Sequence, residues 1–144
     1  MSEENVELVR GLQIDPDVDL VALLRDDSMV ERLFERIAPL FDPGFECVLV
    51  MPGSREEHSG LPGLRAAWLE WLEPWESYRA EIEDVIDAGD AAVVLTRDYG
   101  RRAGTESEVR LLGAAVWIVR NGKVVRAEFY TDRTAALEAA GLSE

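Results

Sequence analysis

The chain opens on helical spacing and closes on strand alternation. Behind an acidic first turn, Glu3-Glu4, the residues Val6, Leu8 and Val9 supply one apolar face. Pro16 interrupts this pattern, and Asp17 or Asp19 is placed to cap a short second helix through Val18, Val21, Ala22 and Leu24. Asp27 or Ser28 starts a third, with Val30, Leu33, Phe34, Ile37 and Leu40 at helical spacing, closed by Pro39 and the turn Asp42-Pro43-Gly44. Residues 45–51 form a nearly continuous apolar strand, and the polar stretch 52–60 reads as a loop. A fourth helix begins near Leu61 with Pro62 in its first turn, where proline is tolerated, and carries Trp68, Trp71 and Trp75.

From residue 78 the period becomes two. In 78–87, Tyr78, Ala80, Ile82, Asp84 and Ile86 share one face. Strands over 91–101, 107–120 and 123–131 follow, the last two joined by Asn121-Gly122, a strong short-hairpin signal. Thr131 or Asp132 is positioned to cap a terminal helix over 133–140 that stops at Gly141. Strands joined by short turns run antiparallel, and Gly100 and Gly113 mark bends in long strands. The order predicts an α+β fold in which a curved antiparallel sheet wraps around helices, a cone-shaped α+β barrel with an interior pocket. No linker or repeat divides the 144 residues, so one domain spans 1–144.

Composition narrows the partners. Apolar residues make up 47% of the chain, enough to fill a core without a metal or disulfides. The net charge is −14, with 15 basic residues against 29 acidic ones and no basic run beyond Arg101-Arg102, which argues against nucleic acid and anionic membranes as partners. No apolar run approaches the ~20 residues of a membrane span. The one cysteine, Cys47, lies in an apolar strand and reads as a buried, inert thiol. A reducing, cytoplasmic location is the expectation.

Five segments carry a resemblance. They are the acidic opening helix Ser2-Glu3-Glu4-Asn5-Val6-Glu7, the lead His58-Ser59-Gly60-Leu61-Pro62-Gly63-Leu64 into a Trp-rich helix, and Glu83-Asp84-Val85-Ile86-Asp87-Ala88-Gly89-Asp90 before a Val-rich strand. Val116-Trp117-Ile118-Val119-Arg120-Asn121-Gly122-Lys123-Val124 and the closing stretch from Phe129-Tyr130-Thr131-Asp132-Arg133 to Leu142 complete the set. In these the chain resembles the SnoaL-like proteins of the nuclear transport factor 2-like superfamily. The resemblance implies a small-molecule-binding domain, acting without a cofactor as an isomerase, cyclase or hydrolase on a small apolar ligand, or else a non-catalytic ligand-binding or dimerisation module. It also implies a homodimer through the sheet, for which Val109, Leu111, Leu112, Val116 and Ile118 supply apolar residues. The first helical region departs from the family pattern, because Gly11 to Asp19 breaks it up.

Two residues stand out as candidate acid/base groups. His58, the single histidine, can serve as a base beside a carboxylate or sit as an exposed loop residue. Asp132 matches the acid that cyclases of the family use near that end of the sheet, or it caps the last helix. Trp68, Trp71, Tyr99, Trp117 and Tyr130 are candidates for an aromatic pocket wall. Arg97 shares a face with Tyr99 and can pair with Glu128, while Asp98 takes the other face. Asp84 is an acid on an otherwise apolar face. With one histidine and no ligand spacing among the acids, no metal site is expected.

Overall fold

Short acidic caps decide where the N-terminal helices begin. In the computed structural model, which describes residues 2–142, helix α1 spans Ser2–Leu12. Helix α2, Leu20–Arg25, is capped by Asp19, whose carboxylate accepts from Val21 N. Helix α3, Asp27–Ile37, is capped by Asp26, one position before the residues the spacing suggested. Pro39 then sits in a 3-10 turn, Ala38–Leu40, that ends the helical third. Asp19 does a second task, because the same Oδ1 accepts from Tyr78 N at 3.0 Å and ties α2 to the sheet. Asp19→Ala is therefore expected to cost about 1–2 kcal/mol, read as a lower denaturant midpoint; an unchanged midpoint would mean that α2 is held by packing alone.

The sheet has six strands in the order β2-β1-β6-β5-β4-β3. They are β1 Phe41–Met51, β2 Ser54–Ser59, β3 Trp75–Asp87, β4 Ala91–Arg102, β5 Glu108–Arg120 and β6 Lys123–Tyr130. Helix α4, Gly60–Leu72, links β2 to β3, and α5, Arg133–Ala139, closes the described chain. Every pairing is antiparallel except β1 with β6, which runs parallel. The polar stretch expected as a loop is an edge strand. Gly53, with φ +76°, turns the chain, and Ser54–Ser59 pairs back on β1. Its charged residues suit an edge, where they discourage pairing with another chain. Asn121 and Gly122 both adopt positive φ, 54° and 77°, as the type I′ hairpin requires.

Register shifts bend the sheet. One lies between Ile82 and Asp84 in β3, and it also corrects the alternation read from sequence. The extra residue changes the phase, so Ile82 faces the helices, Val85 takes the next buried place, and Asp84 is exposed. The two faces carry separate clusters. On one, Val94, Ala115, Trp117 and Phe129 pack under α1 and α4. On the other, Val93, Val116 and Ile118 pack under α5. Cys47 is fully buried, and burial pushes its thiol up to about 12, which leaves it unreactive.

Candidate functional site

Helices α2 and α3 and the 13–15 segment cover the helix side of the sheet without filling it. Between them lies a cavity of about 240 Å³. Its floor is β3, β4, β5 and β6, through Ala80, Val94, Ala115 and Phe129; its roof is Leu23, Leu33 and Trp68. Three rings make one wall: Trp68 stands edge-on to Phe129 at 5.2 Å, and Phe129 edge-on to Trp117 at 5.7 Å.

A single acid is buried in this apolar space. Asp98 follows Val94 and Thr96 on the inward face of β4 and is 7% exposed. Its Oδ2 accepts from Tyr78 Oη at 2.5 Å, a charge-assisted length. Asp98 Oδ1 has no hydrogen-bond partner. Burial raises the proton affinity of Asp98 above the ordinary carboxylate range, while hydrogen bonds from Tyr78 and Thr96 and the charge of Arg133 pull the other way. Burial, then the charge of Asp98, raises the Tyr78 phenol far above its usual value, so Tyr78 is a donor throughout.

Two glycines make room for this pair. A Cβ on Gly113 would stand 2.7 Å from Thr96 Oγ1 and 3.3 Å from Asp98 Oδ2. Gly113→Ala is therefore expected to displace the Asp98 carboxyl and to cost about 1–3 kcal/mol, checked by thermal melts beside a ligand-binding assay; a variant with unchanged melting and binding would show that Asp98 has slack. A Cβ on Gly100 would stand 2.6 Å from the ring of Trp75, which in turn packs on Tyr78 at 5.5 Å.

An apolar cavity enclosed by a bent sheet and helices, with one buried acid, is a fold-level pattern, and the sequence profile of the SnoaL-like domain matches residues 21–127. The chain belongs to the SnoaL-like family. No curated protein resembles the sequence closely enough to count as a relative. Solved structures place the fold. A Jannaschia sp. CCS1 protein assigned as a SnoaL-like polyketide cyclase is 20% identical, with 99% of this chain and 95% of that one covered at a TM-score of 0.66. TerC, co-crystallised with polyporic acid, is 20% identical over 96% and 98% of the two chains at a TM-score of 0.64. A Catenulispora acidiphila DSM 44928 protein with a ketosteroid isomerase-like fold, in complex with trimethylamine, is 16% identical over 85% and 88% at 0.55.

Within this SnoaL-like domain the candidates from sequence separate. Trp68, Trp71, Trp117 and Tyr130 line the cavity. Tyr99 does not: next to Asp98 on β4, it takes the opposite face, where the Arg79 guanidinium stacks on its ring at 4.3 Å. Asp132 is exposed and caps α5 by accepting from Thr134 N at 3.0 Å, which satisfies it away from the cavity. Arg97 pairs with Glu83 at 2.6 Å rather than with Glu128, which bonds Arg126 at 2.6 Å and Tyr130 at 2.7 Å.

His58 also lies outside the cavity, on the edge strand β2. There the structure groups it with Glu56 and Glu70, the possible ligand atoms lying within 4.8 Å of one another. Hydrogen bonding to Glu56, then its charge, raises the proton affinity of Glu70. Sequence spacing hid this set, because Glu70 comes from α4. Among the described residues it is the group whose spacing a divalent cation could use.

Sequence reasoning missed the Tyr78–Asp98 pair. The signal was parity: Asp98 stands two positions after Thr96 and four after Val94, on the face of an otherwise apolar strand.

Proposed function

We propose that this SnoaL-like domain binds a small, largely apolar molecule in the cavity and exchanges a proton with it through Asp98, without a cofactor. The observation that carries the reading is a buried carboxyl with one unpartnered oxygen on a residue that lines an apolar cavity, since perturbed acids in clefts mark acid–base sites. Neighbours of the same fold crystallised with polyporic acid and with trimethylamine support occupancy by small molecules.

The chemistry follows from the pair. Asp98 Oδ1 takes a proton from a carbon next to a carbonyl. The C–H bond breaks, its electrons pass to the carbonyl oxygen, and the new O–H proton returns at the same or another carbon. Tyr78 keeps its hydrogen bond to Oδ2 and steadies the carboxylate while it is charged. Isomerisation and cyclisation both begin with this step.

The test is deuterium uptake from heavy water into cyclic ketones of one to four rings, followed by NMR. Enzyme-dependent uptake in at least one ketone, lost in Asp98→Asn, is expected. Uptake in none, or equal uptake in both proteins, would leave a non-catalytic binding or dimerisation module. A homodimer through the sheet belongs to the same proposal: Leu112 on β5 is exposed at 52%, and register puts it on the face opposite Asp98 and Leu111, where a second copy would cover it.

A further inference from the structure

Two residues that line the cavity each carry a buried atom with no hydrogen-bond partner, Asp98 Oδ1 and Trp117 Nε1. Both side chains are more than nine-tenths buried, at 7% and 6% exposure. An indole N–H only donates, and leaving it bare in a core costs about 1–3 kcal/mol. The two atoms belong to different ends of the space. Asp98 faces Leu111 across β4 and β5, whereas Trp117 faces Ala92, six positions further along the same side of β5. At ~3.4 Å per residue that is about 20 Å of strand before the side chains lean inward. Between them Gly113, Ala115 and Val94 keep the floor low, and Trp68 and Phe129 flatten one wall.

Size and charge narrow the occupant further. An apolar cavity of about 150 Å³ takes up benzene. At about 240 Å³ this one has room for two fused rings. Among the described residues Arg65 is the one basic side chain in the lining, and it is engaged by the Leu24 carbonyl at 3.0 Å and by Asp27 at 2.7 Å. No lining cation is left to balance a carboxylate.

We infer that the ligand is a neutral two-ring molecule with a polar group at each end, one meeting Asp98 and the other a hydrogen-bond acceptor for the indole N–H of Trp117. The inference rests on the proposed occupancy of this cavity, and it adds Trp117 as the residue that sets orientation and specificity.

Isothermal titration with 6-methoxy-2-tetralone, its shape-matched analogue 6-ethyl-2-tetralone, 6-methoxy-2-naphthoate and a four-ring steroid ketone tests it. The methoxy ketone should bind the natural protein about 3–10-fold more tightly than the ethyl ketone, the worth of one hydrogen bond. Trp117→Phe should remove that difference and leave the ethyl ketone nearly unchanged, which a merely structural role for Trp117 would not do. The naphthoate should bind at least tenfold more weakly, and the steroid should not bind.

Equal affinities of the two tetralones for the natural protein would overturn the inference, and this comparison stands even if the Trp117 variant fails to fold. So would preference for the naphthoate, steroid binding, or no tetralone binding at all. Deuterium uptake separates the two proposals. The expected binding pattern without uptake sinks proton transfer and keeps the ligand class, whereas uptake in the steroid alone keeps proton transfer and overturns the ligand class.

Discussion

Asp98→Asn is expected to abolish proton exchange while making the protein more stable at neutral pH. The activity loss should be about 10²–10⁴-fold, the usual worth of a positioned general base. The stability gain follows from the direction of the Asp98 shift. Burial raises its folded-state proton affinity above the unfolded value. Below the unfolded pKa, about 3.9, both states carry the proton and nothing is lost. As pH rises, the unfolded state releases the proton first, so stability falls until the folded carboxyl has also ionised. Asparagine keeps an acceptor for the Tyr78 hydroxyl and never ionises. The variant should gain about 0.5–2 kcal/mol above neutral pH, the usual size of a single stabilising substitution, or about 2–4 °C per kcal/mol in a domain of this size. The gain should vanish near pH 4. Thermal melts of both proteins across pH 4–8 check this, and a variant less stable at every pH would show that the carboxylate is a structural anchor.

Trp75→Ala is the change expected to damage the fold most. Trp75 is 5% exposed, fills the space above Gly100, and packs on Tyr78 at 5.5 Å. The Arg102 guanidinium lies 5.2 Å from its ring. Truncating a buried tryptophan costs about 3–5 kcal/mol, a large share of the about 5–15 kcal/mol available to a domain. No small residue can refill the place, because β4 lacks a side chain at Gly100. The Tyr78 ring loses its support, so residual folded protein should also bind ligand poorly. Urea unfolding measures the loss. A cost below about 1 kcal/mol would mean that neighbouring side chains collapse into the gap, and Trp75 would not be the support of Tyr78.

Much of the architecture was legible because local signals and global packing agree. Asp19 and Asp132 cap their helices and Asn121-Gly122 turns its hairpin as their local chemistry specifies, while the two-residue period of 78–87 holds only up to the register shift between Ile82 and Asp84. The edge strand β2 was not legible, since Ser54–Ser59 is polar throughout and its pairing comes from backbone bonds to β1. The parallel junction of β1 and β6 is likewise a long-range event with no local trace.

The site was half legible. Aromatic residues announced a wall, and Trp68, Trp71, Trp117 and Tyr130 lie around the cavity. The acid did not announce itself. Asp132 was a candidate through the family resemblance and His58 as the single histidine beside a carboxylate; the first caps α5 and the second lies on the edge strand β2. Asp98 looked like one member of a charged run, Arg97-Asp98-Tyr99, until alternation sent its neighbours outward. Its partner Tyr78 sits on β3, beyond the reach of spacing along one strand.

Acid–base chemistry in the cavity requires that the Asp98 carboxyl be held away from bulk water. The direct measurement is a carbon-13 NMR titration of the side-chain carboxyls, with Asp98→Asn assigning the resonance. A titration clearly above the ordinary aspartate range, moving higher still in Tyr78→Phe as the hydrogen bond to Oδ2 is lost, is the result predicted here. A titration at or below that range would mean that the carboxyl is solvated or held by a cation, and the acid–base reading of the cavity would be wrong.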